Sequence, residues 1–284
     1  MTHLQHISGI SNFPSMSRPS KNTSESKELI TLTFGDMAEN HKGMEQIGKM
    51  VAPGEGFHLF DLQDIQQKME AIGVACELVQ LSDEEKPDAY VLVMRDAVNQ
   101  IFREAKIDAE QIHLFEEQKG LEYDTKAFMY GRVVNKHARW NLCFDEKSRA
   151  PDYANGKGRI IGYNEVPLLQ TFMEYFEQYF GKKSANLKVE SNYYYDSSKC
   201  GIGFHGDSER RKVIAMRIGV ASLPMHYQWY KDGEAVGDQI IIPLNAGDMY
   251  IMDEKAVGTD WKRKTIYTLR HATGASKYVS KSSA

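Results

Sequence analysis

Cys200-Gly201-Ile202-Gly203-Phe204-His205-Gly206-Asp207-Ser208-Glu209-Arg210 stands between two runs that read as strands, residues 187–195 and 213–219. It sets an imidazole and a carboxylate two residues apart, just after aromatic strand text. On a strand, positions i and i+2 share a face. One cation can therefore be gripped by both side chains. Gly201 and Gly203 permit close backbone approach at a strand end. A lone His-x-Asp arises often by chance, and a surface pair in a turn is the plain alternative. The long run of β text that follows weighs against it.

Further strands are expected at 127–134, 139–144, 159–162, 226–230, 239–243, 248–252 and 265–270. Among them lies one clear helix. Asn164 is placed to cap it, Pro167 sits in its first turn, and Leu169, Phe172, Met173, Phe176 and Phe180 form its apolar stripe. Short strands at such spacing predict an α+β domain over 126–284, a sandwich or double-sheet jelly roll buttressed by helices. Upstream, residues 28–125 read as a small N-terminal α/β lobe. It has a strand at 29–34, a helix capped by Asp61 and stopped at Gly73, strands at 74–81 and 89–94, and a helix at 97–105. Residues 1–27 are rich in Ser, Asn, Lys and Pro without periodicity, which predicts a disordered arm.

A chain of 284 residues holds one large domain or two modest ones, and 42% apolar content is ordinary for a globular protein. No stretch reaches the length of a membrane span, and residues 1–26 lack the apolar core of a signal peptide. Cys76, Cys143 and Cys200 are an odd number without zinc spacing, so thiols in a reducing compartment are expected. The expectation is a monomer in the cytoplasm or nucleus, away from membranes. A net charge of −4 argues against an obvious polyanion binder. Any nucleic-acid contact has to come from a local basic patch.

His271, at the end of an apolar strand, is the candidate to complete a set of two histidines and one carboxylate with His205 and Asp207. That donor set leaves coordination positions open, as non-heme Fe(II) enzymes require for a cosubstrate and O2. His226 is a rival ligand, better read as an edge or core histidine. A turn at Thr273-Gly274-Ala275 would place Lys277 opposite His271, where its cation can hold a cosubstrate carboxylate. The bland reading of that pair is a strand-end histidine and a solvated lysine. Asn192 and Tyr194 share one strand face and offer an amide and a hydroxyl to a carboxylate or keto oxygen. Tyr193 and Tyr195 read as core.

Asn192-x-Tyr194 followed by Gly201-Ile202-Gly203-x-His205-x-Asp207-x-Glu209 resembles the AlkB-like family of Fe(II)/2-oxoglutarate dioxygenases. The likeness extends through Val213-Ile214-Ala215-Met216-Arg217-Ile218-Gly219, Tyr227-Gln228-Trp229 and Gly247-Asp248-Met249-Tyr250-Ile251-Met252, covering roughly residues 126–284. It implies a double-stranded β-helix core, iron held by His205, Asp207 and a distal histidine, and 2-oxoglutarate contacted by residues like Asn192 and Tyr194. It also implies oxidative dealkylation or hydroxylation of bases in DNA or RNA, or the same chemistry on other targets. Two departures stand out. Arg263 occupies the place where the family's distal histidine is expected, which moves that ligand to His271. The family's spaced pair of C-terminal arginines is matched only by Lys264 and Arg270, ahead of His271. Lys277 is favoured for the cosubstrate, with Arg270 and Lys281 as rivals.

Phe128, Tyr130, Arg132, Lys136, His137, Arg139 and Trp140 mix aromatic and basic residues where the resemblance implies a lid over a flipped base. Arg210, Arg211 and Lys212 add a basic cluster beside the metal motif, where Glu209 is positioned to pair. Three functions follow. The first is a nucleic-acid dioxygenase of the DNA-repair type acting on alkylated DNA or RNA. The second is the same chemistry on a protein side chain or small molecule. The third is a non-catalytic jelly-roll binding module.

Overall fold

The structure, a computed structural model, describes residues 27–280. All but the last residue of the arm expected over 1–27, and the rival cation Lys281, lie outside the described residues. The described residues form sixteen strands, β1 Leu29–Gly35, β2 Met37–Glu39, β3 Gln46–Gly48, β4 Cys76–Gln80, β5 Tyr90–Met94, β6 Lys126–Met129, β7 Arg132–Asn135, β8 Trp140–Asp145, β9 Ile160–Gly162, β10 Lys188–Tyr194, β11 Gly201–His205, β12 Val213–Gly219, β13 Met225–Lys231, β14 Glu234–Ile242, β15 Met249–Met252 and β16 Thr268–Gly274. The helices are α1 Leu59–Ala71, α2 Ala97–Glu104, α3 Gln111–Lys119, α4 Pro167–Met173, α5 Phe176–Phe180, α6 Glu254–Val257 and α7 Ser276–Val279.

Two sheets make the frame. The larger has eight strands in the order β4-β5-β15-β12-β1-β10-β8-β9, antiparallel except for the β8–β9 pair. The smaller has four, in the order β11-β16-β13-β14. The fold is α+β with mostly β content, and its two facing sheets are compatible with the expected sandwich. The boundary drawn at residue 125 is crossed by the larger sheet. β1 lies between β10 and β12, and β5 pairs with β15, so residues 28–125 supply strands to the same sheet as the C-terminal half.

The alternation of side chains along these strands builds the layers. Ile30, Leu32 and Phe34 of β1, Val189 and Tyr193 of β10, and Ile214, Met216 and Ile218 of β12 join a core with Phe102, Leu114, Leu169, Phe172 and Phe180 of the helices. The intervening residues point the other way. Val213, Ala215, Tyr250 and Met252 pack with Tyr227, Trp229 and Leu269 of the small sheet. Both faces of the large sheet are thus covered, which explains why its central strands read as nearly continuous apolar runs.

Local chemistry set several element ends. Asp61 is not the cap of α1 but its N3 residue, accepting from the His58 backbone N–H in a capping box. Gly73 ends the segment with a φ of 88°. The helix expected after Asn164 begins at Pro167 and breaks between Met173 and Phe176. The single strand expected at 127–134 is a hairpin, β6–β7, turning at Tyr130 (φ 53°) and Gly131 (φ 75°). All three cysteines are free. No helix among the described residues is long and apolar enough to cross a membrane.

Candidate metal centre

β11 and β16 run antiparallel with His205 directly opposite His271. The imidazole centroids are 4.5 Å apart. Asp207 lies beyond the end of β11, in the loop leading to β12. Its Oδ1 is 3.5 Å from Nε2 of His205 and 3.5 Å from Nε2 of His271. The three ligand atoms all lie within 4.8 Å of one another, so the three residues chosen from the sequence converge. Gly206 makes the turn possible. A Cβ there would stand 2.0 Å from the Gly258 carbonyl oxygen and 2.8 Å from Cβ of Trp261. Gly201 is similarly confined, against Tyr278 and the Thr273 carbonyl, whereas Gly203 has room.

The protonation pattern suits a cation. Nδ1 of His205 lies 2.8 Å from the Gly203 carbonyl, which can only accept, so Nδ1 carries the proton and Nε2 keeps its lone pair. Burial, then the neighbouring His271, pushes the His205 imidazole down to about 3. Burial drives the Asp207 carboxyl upward, but Arg210 and then the His271 and His205 imidazoles outweigh it and hold it below the usual carboxylate range. Lone pairs and a carboxylate oxygen aimed at one point repel unless positive charge sits between them. Arg210, only 2% exposed, fixes the far side of Asp207 at 3.5 Å while its guanidinium pairs with Glu190 at 2.5 Å and Glu209 at 2.9 Å. The basic cluster expected at 210–212 is therefore no free patch, since Arg210 is internal and Arg211 pairs with Glu254.

The triad opens into a cavity of about 530 Å³ between the two sheets, within the usual range for small-ligand sites. Asn192 and Tyr194 line it from β10, as expected, beside Thr31 and Thr33 of β1. Of the basic residues expected to hold a cosubstrate, Lys277 and Arg270 do not. No hairpin follows Gly274; β16 gives way to α7, and Lys277 is exposed there over the Tyr278 ring. Arg270 precedes an inward histidine on a strand, so it points outward. Its guanidinium lies 3.7 Å from the Tyr230 ring centroid and 5.2 Å from that of Trp261. Arg263 and Lys264 sit on an exposed turn and do not line the cavity. His226 faces Gln239 at 3.2 Å and is likewise outside it.

Among the cations that line the cavity, Arg217 of β12 is wholly buried. Nη1 donates to Thr31 Oγ1 at 2.5 Å, Nη2 stands 3.4 Å from Thr273 Oγ1, and Nε has no partner. No carboxylate pairs with it among the described residues. A charge in the middle of Val-Ile-Ala-Met-Arg-Ile-Gly was the signal that sequence reading passed over, because burying an unpaired ion is costly. Of the expected lid, Arg139 lines the cavity, while Tyr130 is 91% exposed at the hairpin tip and Lys136 is buried. The mouth is walled by Asn40 to Gly43 of the β2–β3 hairpin and by Trp261, whose Nε1 donates to Ser208 Oγ at 2.8 Å. Lys42 and Lys262 each lie 5.7 Å from the Trp261 ring centroid.

No family model matches the chain. It is 48% identical over 262 residues to an uncharacterized protein of Acanthamoeba polyphaga mimivirus, an alignment covering 90% of this chain and 99% of the other. The chain belongs to the same family as that protein.

Proposed function

We propose that this protein is an Fe(II)- and 2-oxoglutarate-dependent dioxygenase with a jelly-roll core, acting on alkylated bases of DNA or RNA. The observation that carries the reading is the pairing, in one cavity, of an open His205–Asp207–His271 donor set with a buried guanidinium that has no carboxylate partner. The residues fit both groups. Nε2 of each histidine and Oδ1 of Asp207 would hold the iron. Arg217, with the Thr31 and Thr273 hydroxyls, would hold the distal carboxylate of the 2-oxo acid. Thr273 stands two residues along β16 from His271, on the same face, a spacing of roughly 6–7 Å. That is about the reach of a five-carbon dicarboxylate between a metal and a guanidinium.

When bound, ferrous iron with 2-oxoglutarate and O2 supplies oxidation of a substrate C–H bond, with release of CO2 and succinate. The chain's own residues do the rest. Asn192, one N–H of which is given to Glu190, would offer its other to the ligand, Arg210 orients Asp207, and the Tyr227, Met252 and Leu269 layer keeps water from the sheet interface. On an N-methyl group the hydroxylated product releases formaldehyde. The reading as a jelly roll rests on two facing sheets whose place between β10 and β12 is filled by the N-terminal strand β1.

Nucleic acid is favoured at the mouth by an indole flanked by lysines, the combination that stacks a base and holds phosphate. A methylated ammonium on a protein is the second reading. Glu39 and Glu209 face the cavity, carboxyl groups that would favour a cationic substrate there. The test is anaerobic Fe(II) loading followed by turnover on methylated oligonucleotides, read as succinate and formaldehyde. Absence of a metal-dependent absorption change with 2-oxoglutarate sinks the oxygenase. Succinate without any altered oligonucleotide sinks the base substrate.

A further inference from the structure

A buried polar chain ties the cavity wall to the metal site. Lys136 Nζ donates to Asn40 Oδ1 at 2.7 Å and to Asn141 Oδ1 at 3.0 Å. An ammonium has donors and no acceptor. Asn141 must therefore present its oxygen to Lys136, which leaves Nδ2 to donate to Asn192 Oδ1 at 2.7 Å. Arg139 Nε donates to the same oxygen at 2.6 Å. At the other end Glu190, an acceptor only, takes Asn192 Nδ2 at 3.0 Å, and Arg210 holds Glu190 in turn. Arg139, a donor only, and Glu190, an acceptor only, set the sense of the Asn192 amide, and Lys136 sets that of Asn141. With its oxygen doubly occupied and one N–H given to Glu190, Asn192 has a single N–H left for the cavity it lines.

We infer that Lys136 and Asn141 are positioning residues: with Arg139 and Glu190 they lock the Asn192 amide so that its oxygen is taken up by protein donors and its second N–H is left for the cavity, reserving that spot for an acceptor oxygen of the ligand. An amide without such neighbours has two orientations of similar shape and opposite hydrogen-bond sense. The lock excludes the one that would set oxygen against oxygen. Burial pushes the Lys136 ammonium down to about 7 while Asp124 favours its charge, so the donor-only form that sets Asn141 prevails below that pH. The inference rests on the reading of the cavity as a 2-oxo acid site.

Asn141→Asp tests it. A carboxylate at 141 pairs more strongly with Lys136 but has no donor for Asn192 Oδ1 and repels it. The 2-oxoglutarate dissociation constant, from anaerobic absorption titration of the Fe(II) protein, should rise about tenfold or more. The Fe(II) dissociation constant should not move, and the thermal midpoint should hold or rise. A merely structural role would lower the midpoint and the Fe(II) affinity together. Lys136→Met, which frees Asn141 to turn over, should weaken 2-oxoglutarate several-fold and carries the test should the aspartate variant fail to fold. Unchanged 2-oxoglutarate affinity in the folded variants overturns the lock and leaves the oxygenase standing. A wild-type protein that binds Fe(II) but no 2-oxo acid overturns both.

Discussion

Replacing Arg217 with methionine separates the cavity's ligand from its architecture. The guanidinium has five N–H donors, and the protein gives it one close hydroxyl, one at 3.4 Å, and the face of Tyr250 at 5.8 Å. A buried ion so poorly matched costs several kcal/mol, and an apolar side chain of similar volume is neutral or stabilising in such places. The ligand-free variant is therefore expected to melt no lower than wild type. Losing one partner of a buried charge pair costs about 2–5 kcal/mol of binding, or roughly 30- to 4000-fold in affinity. At a 2-oxoglutarate concentration of about 100 times the wild-type Kd, binding stabilises the wild type by ~2.7 kcal/mol. With about 2–4 °C per kcal/mol for a chain of this order of size, the wild-type midpoint rises about 5–11 °C. After a hundredfold loss of affinity the same ligand adds only ~0.4 kcal/mol, about 1 °C. Thermal unfolding of the Fe(II) protein under anaerobic conditions, with and without 2-oxoglutarate, reads both quantities. A variant that keeps the full shift, or that loses several kcal/mol without ligand, would refute the argument. Lys277→Ala and Arg270→Ala serve as controls and should keep the shift.

His205→Ala and Asp207→Ala should each abolish Fe(II) binding and succinate formation while far-UV circular dichroism stays as in wild type, because both side chains face the cavity rather than the core. Burial holds His205 neutral in the folded, metal-free chain to about pH 3, against a usual 6.5, so the unfolded chain binds more protons between those values. Its stabilising share is present above about pH 6.5 and drains away as pH falls toward 3. Imidazole nitrogen shifts that report a neutral His205 down to pH 4 agree, whereas a midpoint near 6.5 does not. Changing both Lys42 and Lys262 to Ala should flatten the salt dependence of single-stranded oligonucleotide binding by about 1.4 in log–log slope. An unchanged slope removes the mouth from the phosphate path.

His205 and Asp207 were readable together because two residues and a glycine set their geometry locally. His271 was readable only as a histidine at a strand end, and the antiparallel register of β11 on β16 made it a partner. Lys277 differs for the complementary reason: Thr273-Gly274-Ala275 reads locally as a hairpin turn, whereas Gly274, at φ 126°, packs against Gly201 and the chain enters α7. Lys136 looked like part of a basic, solvent-facing lid, and is instead 9% exposed within a ring of amides. Nothing in its neighbours along the chain encodes that, because Asn40 comes from a hairpin far upstream.

Periodicity, caps and the His-x-Asp spacing are properties of a few consecutive residues, so they survive in the linear chain: strands, helices, two of the three candidate metal donors and the Asn192–Tyr194 face could all be read there. Strand order is another matter. The seat of β1 between β10 and β12, and the resulting approach of Thr31 to Arg217 and of Arg217 to Thr273, depend on pairings between residues 56 to 186 positions apart. Those pairings are decided by how whole sheet faces bury one another, and only the folded chain brings a stranded guanidinium and three metal donors to the same cavity.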